Sequence, residues 1–381
     1  MSNAINYEYL SPSPDPKIIE IGSAPFMWRA FPHTTQFYST WPAERFQNED
    51  RGLHIFSLKQ LPRLTLALQS AEFDMVVVHS FPLAPWTLNS VGRTLFNRGA
   101  LEGRLPLFRR FGQQMIRCKV TAPIVGLDFD DAAVVARCDL FLLDRARLYF
   151  KRELPPDYWR LFAGTLHRSV PTPRFRSIVK NQKRLSKIRP ISLGVSAAIF
   201  AWAQAHRIPN FEKSVDVFFA GRIKDSSIVR QRGLEELLSL KADGYVIDVC
   251  DQRVPIAEYL ARCAAARVVW APEGLGWQTF RQYEASLCGS VPLCNRPTIE
   301  LHKPLVHGVH ALYYDPEPGS LRQVLSVALA EREKLSMLGA AARDHVLAYH
   351  TPTAIARYVA ECAVCNEDRF FEGTLVHRSA N

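Results

Sequence analysis

The stretch APEGLGWQTFRQYEASLCGSVPLCNRP, Ala271 to Pro297, decides how this chain is read. It begins at the end of a β-branched run, RVVWAP (267–272), and closes on a second one, VPLCN (291–295). Between them lie a glycine-containing turn, EGLGW, and a segment whose apolar residues Phe280, Tyr283 and Leu287 fall on one side of a helix. Gly289 stands where a helix stop calls for positive φ, and the next strand starts within two positions. Strand, turn, helix and strand in this order make a parallel sheet with the turn at its C-terminal edge. There Gly274 and Gly276 let the backbone approach a ligand, and the N–H groups that open the helix favour an anion such as phosphate.

The side chains around the turn sharpen that reading. Glu273 opens it, Trp277 closes it, Arg281 lies one turn into the helix, and Glu284 follows three residues later on the same face. An Arg–Glu pair that only staples the helix is one account. The other is a guanidinium for a diphosphate and a carboxylate for vicinal ribose hydroxyls, together a nucleotide-diphosphate site.

Outward from this stretch the same alternation repeats. Strands are expected at 215–221, 245–250, 267–272, 291–295 and 311–315, with helices at about 226–240, 254–265, 277–288 and 317–347. Before a junction at 196–214, further runs at 17–22, 53–58, 75–80, 122–128, 140–144 and 191–195 are almost continuously apolar, as strands covered on both faces must be. The expected fold class is α/β: two Rossmann-like, doubly wound domains facing a cleft, 1–200 and 201–350. A last helix at about 352–365 is free to pack back on the first domain, with the tail 351–381.

At 381 residues, 48% hydrophobic and 22% charged, the chain is long enough for two cores. No apolar run approaches the ~18 residues of a spanning helix, and the N-terminus lacks a secretory pattern, so a cytoplasmic protein is expected. The net charge of +10 favours anionic partners. The segment 174–190 carries seven basic residues and no acidic one. It reads either as a solvated face or as peripheral contact with an anionic membrane. No nucleic-acid-binding spacing is present. Cys362 and Cys365 form a C-x-x-C that lacks the second Cys/His pair a zinc site needs.

The whole pattern resembles glycosyltransferases of the GT-B fold. Thr279, Phe280, Arg281, Glu284, Ala285, Gly289 and Pro292 match the exostosin-like branch of that class, with departures at Ser286 and Ser290. The common retaining group spaces its two glutamates eight apart. Here Glu273 and Glu284 are eleven apart, which favours inversion over retention. The resemblance implies a nucleotide-sugar donor, with Glu284 on the ribose. FFAGRIKDSSIVRQRG (218–233) resembles the first strand and loop of such a donor domain. Gly221 would make room for the donor, and Arg222, Arg230 and Arg232 are candidates to neutralise the diphosphate so that it departs with no metal or other cofactor.

Inversion asks for a base from the first domain at a strand's C-terminal end. Asp128 (in IVGLDFDD) and His79 (in VVVHS) both qualify, Asp128 slightly ahead, with His33 a weaker third. Asp128-Phe129-Asp130 also spells the metal-binding D-x-D of the other major glycosyltransferase fold, which two Rossmann-like halves argue against. Tyr149 to Arg152 are candidates for the acceptor side, where a glycan, a lipid-linked sugar or a protein would be presented. A non-catalytic nucleotide- or glycan-binding module and a nucleotide-sugar 2-epimerase are the alternative functions.

Overall fold

The structure, a computed structural model, describes residues 15–39, 52–55, 60–80, 113–136, 138–163, 165–167, 170–171, 178–206, 212–223 and 227–364. The first half holds β1 (Ile18–Gly22), α1 (Met27–Ala30), β2 (Thr35–Ser39), β3 (Leu53–Ile55), α2 (Leu61–Gln69), β4 (Met75–His79), β5 (Ile124–Asp128), α3 (Leu140–Arg145) and β6 (Leu148–Lys151). A small antiparallel pair, β7 (Thr165–His167) and β8 (Val170–Pro171), then α4 (Ile178–Leu185) and β9 (Ile188–Pro190), complete it. The second half runs α5 (Ala197–Ala205), β10 (Val215–Ala220), α6 (Ile228–Ser239), β11 (Ile247–Cys250), α7 (Ile256–Ala265), β12 (Ala266–Trp270), α8 (Phe280–Leu287), β13 (Val291–Asn295), β14 (Leu312–Tyr314), α9 (Ser320–Ala330), α10 (Arg332–Tyr349) and α11 (Pro352–Val364).

Two parallel sheets result, ordered β3-β2-β1-β4-β5-β6-β9 and β11-β10-β12-β13-β14. Each is covered on both faces, which is why its strands read as unbroken apolar runs. In β1, Ile19 and Ile21 face α2 and α3, while Ile18 faces α1 and α11. Each such buried side chain contributes about 1.5–3 kcal/mol. In the second sheet Phe218, Ala220 and Val269 pack under α5, α7 and α8, and Phe219, Val268 and Trp270 under α6 and α9. The last helix, α11, lies on the first sheet through Ile355, Ala356, Val359 and Ala360.

Several elements differ from the sequence reading. LFLLD at 140–144 belongs to a helix, α3: a short apolar run carries no period, and Leu140, Leu142 and Leu143 satisfy burial in either form. Strand β2 was not anticipated. The strand expected at 191–195 ends earlier, as β9. The chain beyond it is an extended linker, tied by Val195 N–H to the His350 carbonyl (2.9 Å) and turned at Gly194 (φ +66°). The helix expected at 317–347 breaks into α9 and α10 at Glu331 (φ −109°, ψ 62°).

Strand order fixes where ligands can sit. In each sheet the order of winding reverses once, between β1 and β4 and between β10 and β12. The crevice beyond the strand C-termini at such a switch point is the ligand site of open α/β sheets.

Candidate functional site

At the second switch point the end of β10 meets the turn after β12. Arg281, in the first turn of α8, reaches across to the end of β10. Its Nε donates to the Ala220 carbonyl at 2.7 Å and its guanidinium lies 4.8 Å from the Phe219 ring centroid. Gly221 makes this approach feasible, since a Cβ there would collide with Arg281 Nη2. Arg281 Nη1 is buried and has no partner among the described residues.

Arg230, from α6, also approaches Phe219, 6.0 Å from its ring centroid. It donates to the carbonyls of Arg222 (2.6 Å) and Glu273 (3.0 Å), and a Cβ on Gly274 would stand 3.1 Å from its Nη2. Burial, and then the charge of Arg281, push its pKa down to about 10. That the cation of Arg281 opposes the cation of Arg230 means two guanidiniums share one small volume. Neither forms an ion pair with a carboxylate among the described residues. Such a cationic crevice favours an anion. The helix α6 that delivers Arg230 is capped by Ser227, whose Oγ accepts the Arg230 backbone N–H at 3.2 Å.

Arg222 and Arg232 are exposed. Glu273 is held by Asn295 through two bonds of 3.0 Å, Glu273 N–H to Oδ1 and Asn295 Nδ2 to the carboxylate Oε2. Trp277 is a buried wall, its indole N–H shared between the carbonyls of Asn295 (3.1 Å) and Arg296 (3.0 Å).

Glu284 points elsewhere. It is 6% exposed and accepts from the Tyr259 hydroxyl (3.0 Å) and from Ser196. Burial raises its pKa, against the opposing pull of those bonds and of Arg281. Arg281 and Glu284 therefore share a helix face without sharing a partner. Phe280, expected on the buried side of α8, is 44% exposed. The two serines that depart from the exostosin-like pattern are satisfied internally. Ser286 donates to Gln282 O at 2.9 Å. Ser290 reaches the carbonyls of Cys263 (2.6 Å) and Ala266 (2.9 Å).

The backbone N–H groups of Trp277 and Gln278, which sequence reasoning left free for a phosphate, are occupied. Glu153, just beyond β6 in the first half, accepts both, at 2.8 and 3.1 Å. Gly276 makes room for that carboxylate, whose carbon would lie 2.7 Å from a Cβ there. Arg152 donates to Gln278 O (2.5 Å) and pairs with Asp131 (2.6 Å), while Gln278 Nε2 returns a bond to Arg152 O (2.8 Å). This buried strut joins the two halves beside the turn, and any diphosphate is left to the arginines and to the start of the turn.

At the first switch point the expected residues are neighbours of unequal character. Asp128 is 2% exposed, with Oδ1 accepting from Asp130 N–H (3.0 Å) and Oδ2 meeting both the Tyr149 hydroxyl (2.9 Å) and Lys151 Nζ (3.2 Å). Tyr149, Phe150 and Lys151 are fully buried in β6 and line no open surface. His79 places Nε2 2.8 Å from Glu20 Oε1. Sequence reasoning passed over Glu20, although a glutamate inside IIEIG is a visible anomaly in a strand buried on both sides. His33 is exposed, away from these contacts.

In the basic segment, Arg184 forms a bidentate pair with Asp144 (2.6 Å each), Lys187 bonds to Asp144 O (3.1 Å) and Arg189 to Ser186 O (2.7 Å). Much of its charge thus serves the fold. Cys365 lies outside the described residues, and among them no helix is long and apolar enough to cross a membrane.

No family model and no curated protein sequence matches this chain. Solved structures do. A glycosyltransferase from Rickettsia africae aligns over 93% of this chain and 100% of its own, at 8% identity and a TM-score of 0.51. An alpha-glucosyltransferase, in complex with UDP and a 13-mer DNA, aligns over 91% and 99%, at 8% identity and a TM-score of 0.51. The chain has the GT-B fold. A sucrose-phosphate synthase from Thermosynechococcus elongatus aligns over a similar span, 91% and 98%, at 11% identity and a TM-score of 0.49.

Proposed function

We propose that this protein is a glycosyltransferase of the exostosin-like kind. It takes a nucleotide-diphospho-sugar at the β10/β12 crevice and passes the sugar, with inversion and without a metal, to an acceptor held at the β1/β4 crevice. One observation carries the reading: Arg281 and Arg230 converge on Phe219 with no ion pair to a carboxylate among the described residues, beside glycines that keep the backbone low. Two fixed positive charges, one with an unused buried N–H, match a diphosphate that gains charge as its bond to the sugar breaks. Glu273, whose Oε1 has no hydrogen-bond partner among the described residues, is the carboxylate best placed for a donor hydroxyl. Glu284 would serve the ribose only by giving up Tyr259 or Ser196.

That a neighbour of the same fold holds UDP makes uridine diphosphate the first ligand to test. Arg281→Ala is expected to weaken UDP binding by about 30-fold, about 2 kcal/mol for a charge-assisted hydrogen bond. The thermal midpoint should change little, because loss of the Ala220 bond and of the Phe219 contact is offset by relief of the repulsion between Arg281 and Arg230. Calorimetry with UDP and GDP checks this, and equal affinity in the variant would refute the diphosphate assignment. Release of nucleoside diphosphate from a panel of nucleotide sugars with an acceptor separates an enzyme from a binding module, and the anomeric configuration of the product separates inversion from retention.

A further inference from the structure

We propose that His79 is the general base of the reaction and that Glu20 is its positioning residue, an inference that rests on the glycosyl-transfer reading above. The argument starts from strand order. β1 and β4 are the strands that flank the switch point of the seven-stranded sheet; His79 is the last residue of β4, and Glu20, in the middle of β1, reaches its ring. Gly22, the last residue of β1, lies against the imidazole: a Cβ there would come 2.6 Å from the ring. The absence of a side chain at Gly22 therefore makes room for the His79 ring.

The donor and acceptor pattern then fixes the ring. Glu20 is fully buried, and its Oε1 accepts from the N–H groups of Phe26 (2.8 Å) and Met27 (3.0 Å), its Oε2 from Trp28 (2.9 Å). A carboxylate ringed by donors can only accept, so the imidazole nitrogen 2.8 Å away carries the proton. His79 is thus the Nε2–H tautomer when neutral, and its lone pair is on Nδ1. That nitrogen has no hydrogen-bond partner among the described residues. Gln113 Nε2 donates to the His79 carbonyl at 2.5 Å and pins the backbone below. The rival, Asp128, is closed on both oxygens by Tyr149, Lys151 and Asp130.

The step balances without a cofactor. The acceptor hydroxyl gives its proton to His79 Nδ1 as its oxygen bonds to the anomeric carbon. The bond from that carbon to the diphosphate oxygen breaks, and its electron pair leaves on the nucleoside diphosphate beside Arg281 and Arg230. Glu20 faces the imidazolium so formed, and solvent takes the proton back once product departs.

The test uses the full chain with UDP, the UDP- or GDP-sugar that turns over, and three variants. His79→Gln should keep the wild-type affinity for UDP within about twofold while nucleoside diphosphate release falls by about 10²–10⁴. Glu20→Gln should lower kcat by about tenfold or more at unchanged UDP affinity, with Glu20→Asp recovering part of it. Because Glu20 also caps α1, a Gln variant that fails to fold leaves the decision to His79→Gln and to nitrogen-15 NMR of the imidazole. The spectrum of the wild type should show the proton on Nε2. Wild-type kcat in His79→Gln, or a proton on Nδ1 in the wild type, overturns the inference. Absence of UDP binding in the wild type instead overturns the donor reading, and the two failures are distinct.

Discussion

The two switch-point crevices are built by the same topology and filled by opposite chemistry. Between β10 and β12 two guanidiniums crowd one aromatic ring and form no ion pair among the described residues, while between β1 and β4 a buried glutamate and a histidine satisfy each other. Two close guanidiniums repel one another, so the second crevice favours an anion. A dyad that has already found its partner costs little and leaves one nitrogen to act. On the proposals above, one half holds charge and the other moves a proton, and the division follows from what each crevice leaves unsatisfied.

The widest way to break the comparison is to loosen the joint between the halves. His302, His310, His345 and His350 cluster where the 191–195 linker passes the turn from α10 to α11. His345 and His350 both place Nε2 on the Lys303 carbonyl, at 2.9 and 2.8 Å. Burial, then the charges of Lys303 and His345, push His302 down to about 4, and burial with His345 pushes His350 down to about 3. The ammonium of Lys303 over Tyr349, the ring of Tyr358 on His302 and that of Tyr283 on His350 complete the surroundings. In the unfolded chain these histidines protonate near 6.5. The folded values of His302 and His350 being lower, the contribution of these two is complete above pH 6.5 and is lost as pH falls toward 4. Urea midpoints should report a loss on the order of 3 kcal/mol between pH 6.5 and 5. His350→Gln should flatten that slope, and an unaltered slope would assign the effect elsewhere.

Next in size is the strut. Glu153→Ala leaves the N–H groups of Trp277 and Gln278 unpaired and Arg152 short of one anion. The expected cost is about 3 kcal/mol of stability by urea unfolding. Affinity for UDP should weaken too, because the turn that carries Gly274 loses its anchor in the other half. A destabilised variant with intact affinity would show that the two crevices are independent.

The halves also differed in how readily the sequence disclosed them. In the second half the period-3.6 segment between Thr279 and Gly289 and its flanking strands can be read locally, because each element carries its own signal: β-branched run, glycine turn, helix stop. In the first half LFLLD gave no period and became a helix, and TQFYS was too short and polar to stand out as β2. The site was less legible than the fold for one physical reason: its decisive contacts are distant in sequence. Arg281 meets Ala220 and Glu153 meets Trp277 only after both sheets exist. The spacing of Arg281 and Glu284 pointed to a shared role, whereas tertiary packing turned Glu284 toward Tyr259. Glu20 was detectable as a charge in a buried strand, but nothing local named His79, 59 residues on, as its partner.

The smallest change that separates the crevices is a single methyl group. Gly221→Ala places a Cβ where Arg281 Nη2 now lies, and the guanidinium must leave its position over Phe219 or the end of β10 must shift. Gly221 has φ +155°, a backbone conformation that L side chains rarely adopt, so the substitution acts through backbone strain as well as through this contact. The residue also closes the sheet edge, its N–H donating to the Cys250 carbonyl of β11 at 2.9 Å. Folding stability should therefore fall by about 1–3 kcal/mol, the cost of a strained residue, while UDP affinity, measured on the folded variant, falls by roughly five- to tenfold, the share of one displaced charge-assisted bond. Because Arg281→Ala removes the same group, the double variant should be no weaker than Arg281→Ala alone. Additive losses would mean that Gly221 serves the donor directly, by letting the phosphates approach the backbone, and the cationic crevice would then have two independent parts.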